Sequence, residues 1–200
     1  MVIIGLTGSL GSGKTTVAHM FEKMGGAIVI DADAIARKVQ EPGGSAFEEI
    51  VQAFGPEVVL PDGSGLDRRK LAAEVFSSVE KLARLNAIVH PRVREEEMRL
   101  LALHGGEKLV VLNVALLLEN TMNELVDRVV VVTVSEAKRR ERLFERSGMS
   151  PEEVERRLAA QMPQEEKVRR ADDVIDNDSG LEATRQQVRD LLKNWGMDPR

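Results

Sequence analysis

The chain has 200 residues, of which 42% are hydrophobic and 30% charged, with a formal net charge of −5 and no cysteine. That size and apolar share suit one domain, or one core with small inserted lobes, and argue against disorder. The acidic balance argues against general nucleic-acid binding, and the lack of cysteine excludes disulfides and thiolate metal sites.

No repeat of 20 to 50 residues is visible, and the longest apolar runs, such as Val129 to Val134, are strand-sized rather than membrane-sized. No secretory signal precedes the first apolar run, so the expectation is a cytoplasmic protein without a membrane partner.

Val2 to Thr7 is a short apolar run that feeds Gly8-Ser9-Leu10-Gly11-Ser12-Gly13-Lys14-Thr15-Thr16, a match to G-x-x-x-x-G-K-[ST]. A chance match in a chain this long is roughly a one per cent event, and the helical spacing of Val17 through Met24 makes it rarer. Glycines let backbone N–H groups face an anion at a helix N-terminus, Lys14 adds a mobile charge and Thr15 a hydroxyl for Mg²⁺. The ligand class implied is a nucleoside triphosphate.

Gly25-Gly26 closes that helix, and Ala27 to Ile30 is a buried-type strand ending in Asp31-Ala32-Asp33. This is a βαβ unit, so the fold class is α/β with a parallel sheet, and both aspartates fall at the ligand-bearing edge. Residues 34 to 54 read as helical with a break at Glu41-Pro42-Gly43-Gly44. Leu66 to His104 reads as helical with an interruption at His90-Pro91, which suggests a helical lobe inserted between strands. Lys108 to Val114 and Arg128 to Val134 are the third and fourth strands. Ser135 to Gly148 is a helix dense in arginine, a second helix capped by Ser150 with Pro151 at its start reaches Gln161, and Asp172 to Asn177 is an edge strand. The last helix carries Leu181, Val188, Leu191, Leu192 and Trp195 on a core-facing stripe, with Trp195 read as packing.

A guanine switch would need N-K-x-D, which is absent, and the D-x-x-G match Asp62-Gly63-Ser64-Gly65 follows a proline rather than a strand. A motor ATPase is usually larger, with a hydrophobic strand ending in a carboxylate that Ile28 to Asp31 resembles, and it stays as a minor reading. A strand-end carboxylate facing the phosphate loop is kinase geometry: Asp33 orients or accepts the acceptor's hydroxyl proton while Mg²⁺ and Lys14 hold the γ-phosphoryl group. Most arginines of 136–157 read as a solvated face paired with Glu136, Glu141, Glu145 and Glu155. Arg140 first and Arg146 second are expected to reach the phosphates from a helical hairpin over the nucleotide. These features alone leave the acceptor open between a nucleoside monophosphate, shikimate and other small alcohols, and leave a non-catalytic nucleotide switch as the other class.

The chain resembles the dephospho-CoA kinases. The likeness rests on Gly5 to Gly8 with Gly11 to Thr16, Asp31-Ala32-Asp33 with Ala36-Arg37, and Glu41-Pro42-Gly43. It continues through Phe54-Gly55, Asp62-Gly63 with Leu66 to Arg69, Leu85 to Pro91, Leu116 to Glu119, Gln161 and Ala171 to Asn177. The resemblance implies a P-loop nucleotide kinase with a core over 1–60, 106–135 and 171–200, a helical CoA-binding lobe over about 61–105 and a lid over about 136–170. It implies transfer of the ATP γ-phosphoryl group to the ribose 3′-hydroxyl of dephospho-CoA, the last step of CoA synthesis, in a monomer or weak homo-oligomer. By this resemblance Asp33, Lys14 and Arg140 are catalytic. Gly8, Leu10, Gly11, Ser12, Gly13, Lys14, Thr15, Thr16, Arg140, Arg146 and Asn177 bind ATP, with Thr15 on the metal. Asp31, Asp33, Arg37, His90, Arg94 and Leu116 bind the acceptor. Two positions depart from the family pattern: Ser9 stands where a second glycine is common, and Asn113 and Ala115 replace the Asp and Pro of Asp-x-Pro-Leu-Leu. A carboxylate is therefore missing at the end of the third strand, which throws more weight onto Asp33.

Overall fold

A computed structural model describes Met1 to Pro199 except for Thr121, Gly148, Met149, Ser150 and Ala160, and of residues 145–147 and 151–153 it describes the backbone only. The expected cap at Ser150 lies outside the described residues. The chain divides into a sheet unit, Met1–Asp31 with His104–Arg200, and a helical unit, Ala32–Leu103.

In the sheet unit, strands β1 (Val2–Thr7), β2 (Ile28–Asp31), β3 (Leu109–Asn113), β4 (Arg128–Thr133) and β5 (Asp173–Asp176) form one sheet in the order β2-β3-β1-β4-β5. Every pairing is parallel. Parallel strands buried on both faces must be apolar throughout, and β3 is buried at all five of its residues. Helices α1 (Lys14–Gly25) and α9 (Leu181–Asn194) are packed through Phe21, Met24, Val188 and Leu192, which join Ile4, Leu6, Val111 and Val130 in the core. Trp195 stacks on Phe21 with ring centroids 5.7 Å apart and carries the Arg128 guanidinium on its other contact, so it is a packing residue.

The register puts Asp31 beside Asn113 and Asn113 beside Leu6, so the C-terminal ends of β2, β3 and β1 are level. Whatever follows these strands gathers at one edge, where an open parallel sheet places its ligands.

The helical unit consists of α2 (Ala32–Lys38), α3 (Phe47–Phe54), α4 (Arg68–Phe76) and α5 (Val79–Leu103), with a 3-10 turn over Pro56–Val58. Asp67 caps α4 by accepting from the amides of Arg69 and Lys70. The break expected at His90-Pro91 is absent: α5 runs through Pro91 for 25 residues. Ile88 and Val89 before the proline and Leu101 after it are all buried, and Pro91 and Ala87 are exposed, so the carbonyl freed at Ala87 meets water and packing holds the helix together.

The arginine-rich stretch forms α6 (Glu136–Ser147) and α7 (Pro151–Ala159), as expected from the pattern. A further helix, α8 (Gln164–Arg169), follows them. Its sequence gave no apolar stripe, and it is set by burial of one residue, Lys167, which is fully enclosed.

Candidate active site

The loop from Gly8 to Gly13 joins β1 to the N-terminus of α1. Three of its glycines answer different demands. A Cβ on Gly8 would lie 2.5 Å from the Val132 carbonyl oxygen, so β4 passes too close for a side chain. Gly11 and Gly13 hold φ of +80° and +88°, the left-handed region that glycine enters without strain. Ser9, the atypical position, is buried and its carbonyl accepts from the Ser12 amide at 3.0 Å, so the substitution leaves the loop's internal turn in place. The Ser12 hydroxyl is buried without a hydrogen-bond partner, a donor held inside an anion-binding loop.

Lys14 begins α1, and its ammonium donates to Asn113 Oδ1 at 2.5 Å. Asn113 is 2% exposed and its Nδ2 donates to Asp31 Oδ2 at 2.7 Å. Asn113 thus bonds both the loop lysine and the strand-end aspartate. Thr15 and Thr16 occupy the first turn of α1, Thr15 exposed and Thr16 half-buried.

The other side of the loop is held by residues far along the chain. Asn177 Nδ2 and an Arg142 guanidinium nitrogen both donate to the Ser12 carbonyl, at 2.8 and 3.3 Å, and Arg142 also donates to the Asn177 carbonyl at 3.0 Å. Thr184 Oγ1 donates to Asn177 Oδ1 at 2.9 Å. A Cβ on Gly13 would meet Asn177 Nδ2 at 2.1 Å. The Leu10 amide donates to Gln161 Oε1 at 3.0 Å, which brings the segment after α7 onto the loop.

Beneath this edge, Lys167 Nζ pairs with Glu119 at 2.8 Å and donates to the Ala115 carbonyl at 3.0 Å, which also accepts from Thr7 Oγ1. Glu119 accepts from the Met162 amide at 2.9 Å, so consecutive residues, Gln161 and Met162, tie to the loop and to the segment after β3.

Of the residues singled out in the sequence, Gly8, Leu10, Gly11, Ser12, Gly13, Lys14, Asp31 and Asn177 share this network. Leu116 is half-buried in the segment after β3. Arg140 bonds Glu136 at 2.8 Å and Glu155 at 2.9 Å, whereas Arg142 hydrogen-bonds the loop backbone and Arg139 packs beside Gly11. The Arg146 side chain lies outside the described residues. Asp33, Arg37, His90 and Arg94 belong to the helical unit, where all four are exposed. Arg142, Asn113 as a bridge and Lys167 escaped the sequence reading. On a helical wheel Arg140 and Arg142 flank the buried Leu143 on opposite sides, so periodicity does not say which flank meets the loop.

The sequence profile of the dephospho-CoA kinase family matches residues 2–183. A dephospho-CoA kinase from Bacillus cereus is 48% identical over 198 residues, covering 98% of both chains. A crystal structure from Thermus thermophilus superposes with a TM-score of 0.82 at 39% identity, covering 96% of this chain and 97% of the other. A dephospho-CoA kinase from Campylobacter jejuni superposes with a TM-score of 0.72 at 25% identity, covering 96% of each chain.

Proposed function

Because the chain belongs to the dephospho-CoA kinase family, we propose that it transfers the γ-phosphoryl group of ATP to the ribose 3′-hydroxyl of dephospho-CoA, giving CoA and ADP. The observation that carries this reading is the preformed phosphate loop with Lys14 fixed beside the ends of β2 and β3.

The loop amides and the Ser12 hydroxyl receive the phosphates at the positive end of α1. The ammonium of Lys14 follows the β- and γ-phosphates, and Asn177 with Arg142 frames the loop's outer side. Asp33, two residues beyond the end of β2, takes the proton of the 3′-hydroxyl as that oxygen attacks the γ-phosphorus and the bond to the β–γ bridging oxygen breaks. Arg140, released from Glu136 and Glu155, meets the charge on the transferring group. Arg37, His90, Arg94 and Leu116 contact the acceptor, and the helical lobe over about 61–105 with residues 136–170 as a lid completes the division of labour. Within the helical unit, an open cleft of about 570 Å³ between α3 and α5, lined by Glu49, Gln52, Arg84 and Ile88, offers the acceptor a surface.

The donor set fits Mg²⁺. Thr15 presents a hydroxyl and Asp31 a carboxylate, both hard oxygen donors, and among the described residues no group of three His, Asp or Glu forms an all-protein cage. That matches a cation held chiefly by nucleotide phosphates and water. Held by Thr15, Mg²⁺ would supply positive charge that offsets the negative charge of the bound nucleotide.

We place the enzyme in the cytoplasm as a monomer or weak homo-oligomer without nucleic-acid or membrane partners. Its net charge of −5 and its lack of cysteine support this, and no helix among the described residues is long and apolar enough to cross a membrane. The test is a panel of acceptors with Mg-ATP. Dephospho-CoA is expected to stand out over adenosine monophosphate and shikimate, and silence with dephospho-CoA overturns the proposal.

A further inference from the structure

We infer that Asn113 is a positioning residue of the phosphoryl-transfer centre, its amide oxygen fixing the Lys14 ammonium and its amide nitrogen fixing the Asp31 carboxylate. The inference rests on the kinase reading for its consequence in turnover, while its geometry stands apart from that reading.

The orientation of the amide follows from its partners. An ammonium only donates and a carboxylate only accepts, so Oδ1 must face Lys14 and Nδ2 must face Asp31. Asn113 is 2% exposed and ends β3, which lies between β2 and β1 and whose register sets Asn113 level with Asp31. Its rotamer is therefore held by the sheet, and the sheet in turn aims Lys14. The bond to Asn113 Oδ1 gives one of the three N–H donors of the ammonium a fixed direction.

An aspartate in this place would act differently. It would set a second carboxylate within hydrogen-bond distance of Asp31, where it could not donate the bond that Asn113 Nδ2 supplies and would repel the Asp31 charge. It would also accept from Lys14 as a full counter-ion rather than as a dipole. The neutral amide keeps both contacts and removes one negative charge from the edge where the triphosphate arrives. Asn113 thus makes both bonds without adding a charge.

Three variants test this: Asn113→Leu, which has similar bulk without polar atoms, Asn113→Asp, and Asn113→Leu combined with Lys14→Met. Asn113→Leu is expected to lower kcat/KM for ATP by about 10²-fold, with KM for dephospho-CoA unchanged within about threefold. The double variant is expected to be no slower than Lys14→Met alone, as for residues acting as one unit. Asn113→Asp, whose carboxylate accepts from Lys14 but cannot donate to Asp31, is expected to lower kcat/KM for ATP about tenfold. Wild-type rates in Asn113→Leu, an additive loss in the double variant, or wild-type rates in Asn113→Asp overturn the inference.

A readout without turnover separates this from the kinase proposal. The side-chain NH₂ resonances of Asn113 are expected to shift in both Lys14→Met and Asp31→Asn. Unmoved resonances overturn the positioning role even in an active enzyme, whereas shifted resonances in a chain that ignores dephospho-CoA sink only the assigned activity. The NMR spectrum also shows whether Asn113→Leu folds, and Asn113→Asp carries the test where it does not.

Discussion

The side-chain amide of Asn177 donates to the carbonyl of Ser12 at 2.8 Å, joining the last strand's exit to the phosphate loop across 165 positions of sequence. Thr184 on α9 holds the other end of the same amide. The loop is thus shaped by the C-terminal part of the chain as well as by its own glycines.

Asn177→Ala is expected to cost about 1–3 kcal/mol, because it removes one donor to a buried carbonyl, and to raise KM for ATP several-fold. Asn177→Asp is expected to be the worse of the two despite its similar size, since a carboxylate cannot donate to the Ser12 carbonyl. Urea unfolding and ATP kinetics check the ranking. Wild-type unfolding midpoints and ATP kinetics in both variants would show that the bond matters little.

Arg140 and Arg142 are expected to fail in different ways. The Arg140 pairs with Glu136 and Glu155 are exposed on both sides, so Arg140→Ala should leave the urea midpoint nearly unchanged. Its removal is expected to lower kcat by about 10³-fold, the low end for an arginine that meets a transferring phosphoryl group. Arg142→Ala should instead shift the urea midpoint and KM for ATP, because it bonds the loop backbone itself. A single steady-state series with unfolding curves separates the two patterns.

Lys167 is fully buried against Glu119 and the Ala115 carbonyl. Lys167→Met leaves Glu119 without its cation and is expected to cost about 3–5 kcal/mol, as for a buried pair broken on one side. Adding Glu119→Leu should recover part of that loss, although the Met162 amide then loses its acceptor. Urea midpoints of the single and double variants decide it, and a double variant weaker than the single would contradict this account.

Glu97 lies on α5 with both carboxylate oxygens buried and unpartnered. Burial pushes its carboxyl from 4.5 up to about 7, with the Arg94 charge pulling the other way. The folded chain therefore binds this proton more tightly than the unfolded chain does. The resulting stabilisation is complete below pH 4.5 and is lost as the pH rises through about 7. Glu97→Gln removes the ionisation and is expected to be more stable than the parent above pH 7, by a margin on the order of 3 kcal/mol. Unfolding free energies from pH 5 to 8 should flatten in the variant. Parallel slopes would rule the carboxyl out as their source.

Much of the sheet unit was legible because its signals are local. An apolar run, glycines at fixed offsets and a lysine define the loop, and runs of valine define buried parallel strands. The charged segment 164–169 hid Lys167, since burial of a lysine depends on Glu119 and Ala115, which lie far off in sequence. Pro91 misled for a related reason: the residue forbids an internal hydrogen bond, but packing before and after it outweighs one lost bond. Asn113 read as a missing carboxylate, because a sequence shows the charge that is lost and not the two bonds that remain.

The strand order also fixes when the loop can take shape. Val2 pairs with Leu109 and Ile4 with Arg128, so β1 has no neighbour in the sheet until those later segments exist. At about 5–20 residues per second, synthesis of that intervening chain takes on the order of ten seconds. Until then Val2 to Thr7 wait as an apolar segment with unpaired backbone on both sides. The phosphate loop that follows them is consequently translated well before the strands that complete its surroundings.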